Sequence, residues 1–306
     1  MRKLIFTLCA MLLSIGAWCG DCDMPLRIVI PSQAENLTNS EKQLVRNKLR
    51  NIVTQNGIVG GSDASPFAIT AYVDVIDAEV VSGSPVKYVY ILNVNLYIVD
   101  TQDEKIYSSA SVEVRTAGNS KEKAYVNGIR QLSASAPEVQ TCIENGKNKM
   151  LAYYNDNYKN IIKTARTQAS LKNFEEAIFY LMSVPVCSKG YDTAVAELST
   201  IYQQYIDRLG EENLALAQAA WMAGYSKENA AAAAEYLALI DPDAACYSDA
   251  QKLVKEIKAH LGEEWKFELK QWDDTVDVQK QMLKNSREIA LAYAKNLPDS
   301  LTSIIF

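Results

Sequence analysis

The sequence predicts two units in series: an α+β domain of order β-α-β-β-β-α, then an all-α domain of helical hairpins. Three observations lead there. Between Phe67 and Arg115 apolar and polar residues alternate with period two, the mark of half-buried strands. From Val139 onward Gly and Pro become sparse and the apolar period turns helical. Two stretches of that second half echo one another, each ending in Tyr-Leu, an aliphatic residue, Pro and Cys. The expected boundaries are 1–19 for an export leader, 24–138, 139–298, and a tail of 299–306.

The leader comes first. Arg2 and Lys3 precede an apolar run, Leu4 to Ile15, broken only by Thr7 and Ser14, and the small Gly16 and Ala17 follow. This is the pattern of a secretory signal peptide, too short to span a bilayer comfortably. Export to the periplasm or cell envelope is expected. Trp18 stands where an acylated Cys19 needs a small residue, which argues against a lipoprotein anchor. No later segment offers ~18 uninterrupted apolar residues, so no integral membrane span is expected.

In the first domain, Leu26 to Ile30 suits a buried strand ending at Pro31. Ser40-x-x-Gln43 reads as a capping box ahead of a helix with the stripe Leu44, Val45, Leu49, Ile52 and Val53. Asn56-Gly57 ends it, because Gly accepts the left-handed cap. The Gly57–Gly61 loop lacks a phosphate-binding pattern and reads as a turn. Three strands follow. Phe67, Ile69, Ala71, Val73 and Val75 form the first inward face, and Tyr88 to Ile98 the second. Ile106, Ser108, Ala110, Val112 and Val114 form the third, opposite Tyr107. Ser82–Pro85 and Asp100–Glu104 are the turns of this antiparallel meander. Ser120 then caps a helix carrying Ala124, Ile129 and Leu132.

The turn Val99 to Ile106, a strand, and Gly118-Asn119-Ser120 opening an Ala-containing helix resemble the periplasmic domain of the curli-secretion lipoprotein and of the TolB N-terminal part. Exported proteins of the Bacteroidetes type are similar as well. The resemblance implies envelope assembly and protein binding rather than catalysis. It carries over no functional residue, since the matching positions are a turn, a cap and a helix start.

In the helical half, Asn173-Phe-Glu-Glu-Ala begins like the second helix of tetratricopeptide hairpins, and this half resembles a TPR-like array. Ala230–Ala234 lets a neighbouring helix approach closely. Ala194, Leu198, Ile201 and Tyr205 are expected to form one helical stripe, and Leu214, Leu216, Ala219, Ala220 and Met222 another. The last helix is expected from Glu263 to Asn296, with Trp265, Leu269, Trp272, Val276 and Leu283 on one face before Pro298.

Removing the leader leaves Cys22, Cys142, Cys187 and Cys246, an even number that reads as two disulfides in an exported chain. Three connectivities are open. Cys187 and Cys246 close the echoing segments, which favours Cys187–Cys246 with Cys22–Cys142.

Charge narrows the function. The 31 Lys+Arg and 37 Asp+Glu give a formal net charge of -6, and losing Arg2 and Lys3 with the leader makes it -8. That disfavours nucleic acid and anionic membrane surfaces. The single histidine, His260, stands near a helix end where it complements the helix dipole. Metal and cofactor sites are not expected. The adjacent pairs Glu175-Glu176, Glu263-Glu264 and Asp273-Asp274 point about 100° apart on a helix and do not converge by themselves. Candidate partner contacts are the aromatics Tyr153, Tyr154, Trp265 and Trp272. Asp192-Thr-Ala, Asp274-Thr-Val and Asp299-Ser-Leu fit an O-glycosylation tripeptide. The expected function is a non-enzymatic scaffold binding another envelope protein or peptide. The alternatives are a carbohydrate or peptide receptor built on the aromatics, and a carboxylate-dependent hydrolase.

Overall fold

The computed structural model describes residues 24, 26–30, 38–58, 65–101, 104–262, 265–271 and 277–296. The expected leader, Cys22, Trp272, the tripeptides at Asp274 and Asp299, and the tail lie outside them. A mixed four-stranded sheet with helices is followed by a largely helical region, as the sequence predicts. The elements are β1 Arg27–Ile28, α1 Asn39–Gln55, β2 Phe67–Val81, β3 Lys87–Asp100, β4 Lys105–Gly118 and α2 Lys121–Gln131. The helices α3 Pro137–Ser170, α4 Phe174–Met182, α5 Tyr191–Met222, α6 Lys227–Leu237, α7 Tyr247–Leu261 and α8 Val278–Lys295 complete the chain.

The sheet order is β1-β2-β3-β4, with β1 parallel to β2 and the rest antiparallel. Its core face carries Ile69, Leu92, Val94, Leu96 and Ile98, all nearly fully buried. At the β3–β4 ladder the register shifts: Ile98 pairs with Ser108 and Val99 with Ile106. Tyr107 is the extra residue, and such a bulge re-aims side chains. The result reverses the expected facing there, leaving Ile106 43% exposed and Tyr107 5% exposed. Buried Tyr107 meets Phe67 edge-on at 5.1 Å between ring centroids.

Helix α1 is capped two residues earlier than the Ser40 box. Thr38 is the N-cap: its hydroxyl accepts from the Glu41 amide at 3.3 Å, and its own amide donates to Glu41 Oε2 at 2.8 Å. Thr38 with Glu41 is the stronger box, because a carboxylate also suits the helix N-terminus. Helix α2 begins as expected, with the Ser120 hydroxyl accepting from the Lys123 amide at 3.1 Å. Gly118 allows this tight entry. A Cβ there would stand 2.3 Å from the Ala124 backbone nitrogen.

Helix α3 runs 34 residues. Its first half buries Val139, Ile143 and Met150, and its second half buries Ile161, Ile162, Ala165 and Ala169. All belong to one apolar core that also holds sheet residues and parts of α4, α5 and α8. A smaller second core joins α5, α6 and α7 around Trp221, Ala230, Ala233 and Leu237. The second stripe of α5 is Leu214, Ala217, Trp221 rather than the expected set. Leu216 and Met222 are 48% and 63% exposed, since a 3.6-residue period cannot hold them on the face of Leu214.

The hairpins repeat closely. The turns after α3 and α5 each place a residue at positive φ before the cap, Lys172 at 68° and Tyr225 at 53°. The α4–α5 and α6–α7 loops then match at a spacing of 56 residues. The Ser188 amide donates to the Pro185 carbonyl, as Ala244 does to Asp241, and Tyr191 donates to Ser188, as Tyr247 does to Ala244. Each loop is latched to the preceding long helix: Lys189 N–H to Asn155 Oδ1 at 2.9 Å, and Ala245 N–H to Asp207 Oδ1 at 2.8 Å.

The expected helix from Glu263 to Asn296 is not continuous. Gly262, at φ 79°, closes α7, and residues 265–271 are irregular. Asp277 restarts the helix, its carboxylate accepting from the Lys280 amide at 3.2 Å. Leu269 is buried in the second core, where Trp265 and Phe267 pack partly buried against it, so the apolar spacing reports irregular chain laid over helices.

Two glycines separate backbone from side-chain crowding. Gly118→Ala should cost about 3 kcal/mol, since the neighbour is backbone that cannot yield. Gly146→Ala, whose Cβ would meet only the end of the Ile98 side chain, should cost about 1 kcal/mol. Urea unfolding midpoints at constant slope measure both.

Candidate functional site

A concavity lies between α5 and α8. A cavity of about 880 Å³ is bordered by Tyr191, Val195, Tyr202 and Gln203 of α5, by Val278, Met282 and Leu283 of α8, and by Asp192 and Asp243. A second of about 330 Å³ continues it, between Tyr205, Ile206 and Leu209 of α5, Asn285, Glu288 and Ile289 of α8, and Leu239 with Asp241. The early turns of both helices border the first cavity and their later turns the second, so α5 and α8 run in the same direction. Tyr202 borders both cavities. There its hydroxyl accepts a hydrogen bond from Asn285 Nδ2 at 2.8 Å.

Local structure explains the walls. Ala194, Leu198 and Ile201 of α5 are buried in the main core. That leaves Val195, Ser199, Tyr202 and Gln203 toward the groove. The loop wall is fixed by the Asp243 amide donating to Asp241 Oδ1 at 2.9 Å and by Gln203 Nε2 donating to the Asp243 carbonyl at 2.9 Å. Two apolar residues at the rim are open, Leu239 at 67% and Val278 at 53% exposure.

The groove is acidic. Asp192, Asp241, Asp243 and Glu288 line it, and no Lys or Arg stands among its described lining residues. The Tyr202 hydroxyl is pushed up to about 12. Burial is the chief cause; the hydrogen bond from Asn285 opposes it, and the Asp241 and Asp243 charges add to it.

The aromatics expected as partner contacts fall elsewhere. Tyr154 is 3% exposed, and its ring meets Phe67 at 5.6 Å and Tyr153 at 5.6 Å. Phe67 also meets Tyr153 at 5.9 Å. Tyr154 and the partly buried Tyr153 therefore join α3 to the sheet. Trp265 is half-buried beside Phe267, with centroids at 5.4 Å. His260 occupies the last turn of α7 as expected and packs edge-on against Trp221 at 5.4 Å. Glu175 and Glu176 part company: Glu175 acts on the Tyr205 hydroxyl, Glu176 on that of Tyr293. Thr193 of the Asp192 tripeptide is exposed in the first turn of α5.

The expected disulfides are corrected. Cys142 and Cys246 are free and buried, so neither Cys187–Cys246 nor Cys22–Cys142 forms. Cys187 is disulfide-bonded, to neither of those two. The physical reason is register. At the 56-residue spacing Cys246 answers to Gly190, and Cys187 to Asp243, so the two cysteines hold different places in their loops. Cys246 sits instead against Gly210, where a Cβ would meet its sulfur at 2.8 Å. In the other loop Gly190 receives the ring of Tyr158, its own Cβ position being 2.3 Å from Tyr158 Cγ.

Comparison with known proteins gives a distant likeness. No protein-family profile matches the chain, and no curated protein matches it significantly. Among solved structures, a minor lipoprotein from Acinetobacter baumannii is similar over 41% of this chain and 94% of its own, at 16% identity and a TM-score of 0.28. No helix among the described residues is long and apolar enough to cross a membrane.

Two outcomes follow from the buried titratable groups. Burial raises the thiols of Cys142 and Cys246. Both should resist iodoacetamide in the native protein and react in guanidinium, read by intact mass. Tyr202 holds its proton more tightly folded than unfolded, so its stabilisation is complete below pH ~10 and lost as pH rises toward about 12. Tyr202→Phe should flatten the fall of the urea midpoint across that window.

Proposed function

We propose that this protein is an exported, non-enzymatic scaffold of the periplasm or cell envelope that holds a segment of a protein partner between α5 and α8. The leader-like residues 1–19 supply the address. The observation that carries the reading is the groove itself. It follows two helices side by side from Tyr191 to Leu209, about 27 Å at the helical rise. That is the length of a peptide segment rather than of a metabolite. Its walls are mostly apolar with a few fixed polar groups, the composition of a recognition site. Leu239 and Val278 at its rim offer apolar contact that nothing within the described chain covers. An amphipathic segment laid in such a trough buries its apolar face between the two helices.

Site-specific photo-crosslinking tests this. A photoreactive residue at Leu239 or at Val278 should capture the same envelope protein, while one at Val80 on the distal sheet should not. An added groove substitution, Ile206→Glu, should abolish both adducts. Equal capture from Val80, or different proteins from the two groove positions, would sink the reading.

A further inference from the structure

We infer that the segment taken by the α5–α8 groove is a cationic amphipathic helix of about four to five turns, its apolar stripe on the groove wall and its Lys or Arg residues facing the carboxylates. This rests on the reading of the groove as a partner site. The charge pattern around the groove is one-sided. Asp192 and Asp243 stand at one cavity, Asp241 and Glu288 at the other, so acids occur along the whole trough. The basic residues of the same helices are directed away. On α8, Lys280, Lys284 and Arg287 follow each other at helical spacing on the arc opposite Met282, Asn285 and Ile289. Lys280 is engaged by Asp277 at 3.4 Å. On α5 the one basic residue, Arg208, is engaged by Glu212 at 2.8 Å. An acidic helix entering here meets Asp192, Asp241 and Glu288 with no Lys or Arg among the described lining residues. A basic one finds partners in these three, and complementary charge sets both encounter rate and choice of partner. Leu239 and Val278 supply the apolar contact that charge alone lacks. The length comes from the trough, about 27 Å or 18 residues at the helical rise.

The test uses the full exported chain and two labelled 18-residue peptides with the same leucine stripe at i, i+3, i+4, i+7. One carries Lys at its polar positions, the other Glu. Fluorescence anisotropy at low salt should show the Lys peptide binding at least about tenfold tighter, the gap narrowing in 0.5 M NaCl as charges are screened. Asp241→Lys with Glu288→Lys should weaken the Lys peptide at least about tenfold. The same charge change on the distal sheet, Glu79→Lys with Glu113→Lys, should leave it within about twofold. Circular dichroism checks that both double variants fold. If the two peptides bind equally and the groove variant weakens both, the charge inference falls while the partner-site reading stands. If both double variants weaken binding alike, net charge alone is at work and the inference falls. If neither peptide binds, the partner-site reading falls with it.

Discussion

Everything in this molecule hangs on one helix serving two neighbours at once. Helix α3 is about 51 Å long at the helical rise. Its first half closes the sheet, with Val139, Ile143 and Met150 buried and Gly146 letting Ile98 come close. Its second half is the first long helix of the hairpin array. Between the halves, Tyr153 and Tyr154 fit edge-on against Phe67, and Tyr154 bonds Ser183 at the end of α4. Edge-to-face rings add about 0.5–1.5 kcal/mol beyond their buried area, so this junction is stiff. The core is therefore continuous from sheet to α8, and the position of α5 is inherited from the sheet through α3.

That inheritance gives the groove its shape. Helix α8 packs on the main core through Met282, Ala290 and Ala294. The α6–α7 loop belongs to the smaller core, through Ile240 and Ala244. The groove lies between these two packing systems, at a place neither fills. A trough of this origin keeps its walls when empty, because each is fixed from behind. Bound segments then lose less free energy to ordering the site.

Much of the fold was legible because it rests on periodicity. The three long strands, the Gly57 exit, the Ser120 cap and the sparse-glycine helical half all follow from spacing and turn chemistry. The failures share a cause: spacing does not report register against a partner. The β3–β4 bulge turned Tyr107 inward and Ile106 outward. Cys187 and Cys246 both close the echoing segments, yet the loops align at 56 residues, and the cysteines fall three places apart. The helix expected from Glu263 gives way to irregular chain over 265–271, because its apolar spacing serves a chain packed across the second core and not a helix face. The groove is not legible in the sequence because its residues come from α5, α8 and a loop, far apart along the chain. Asp241-Pro242-Asp243 was the one local sign of it, a rigid acidic turn inside the echoing segment.

The latch between each loop and the preceding long helix also ties each hairpin to the one before it. Asn155 holds the Lys189 amide, and Asp207 holds the Ala245 amide. Asn155 lies eighteen positions into α3 and Asp207 sixteen into α5. Helix α7 has 15 residues and does not reach that depth. A loop stacked on α7 would go without the acceptor that the two earlier loops share.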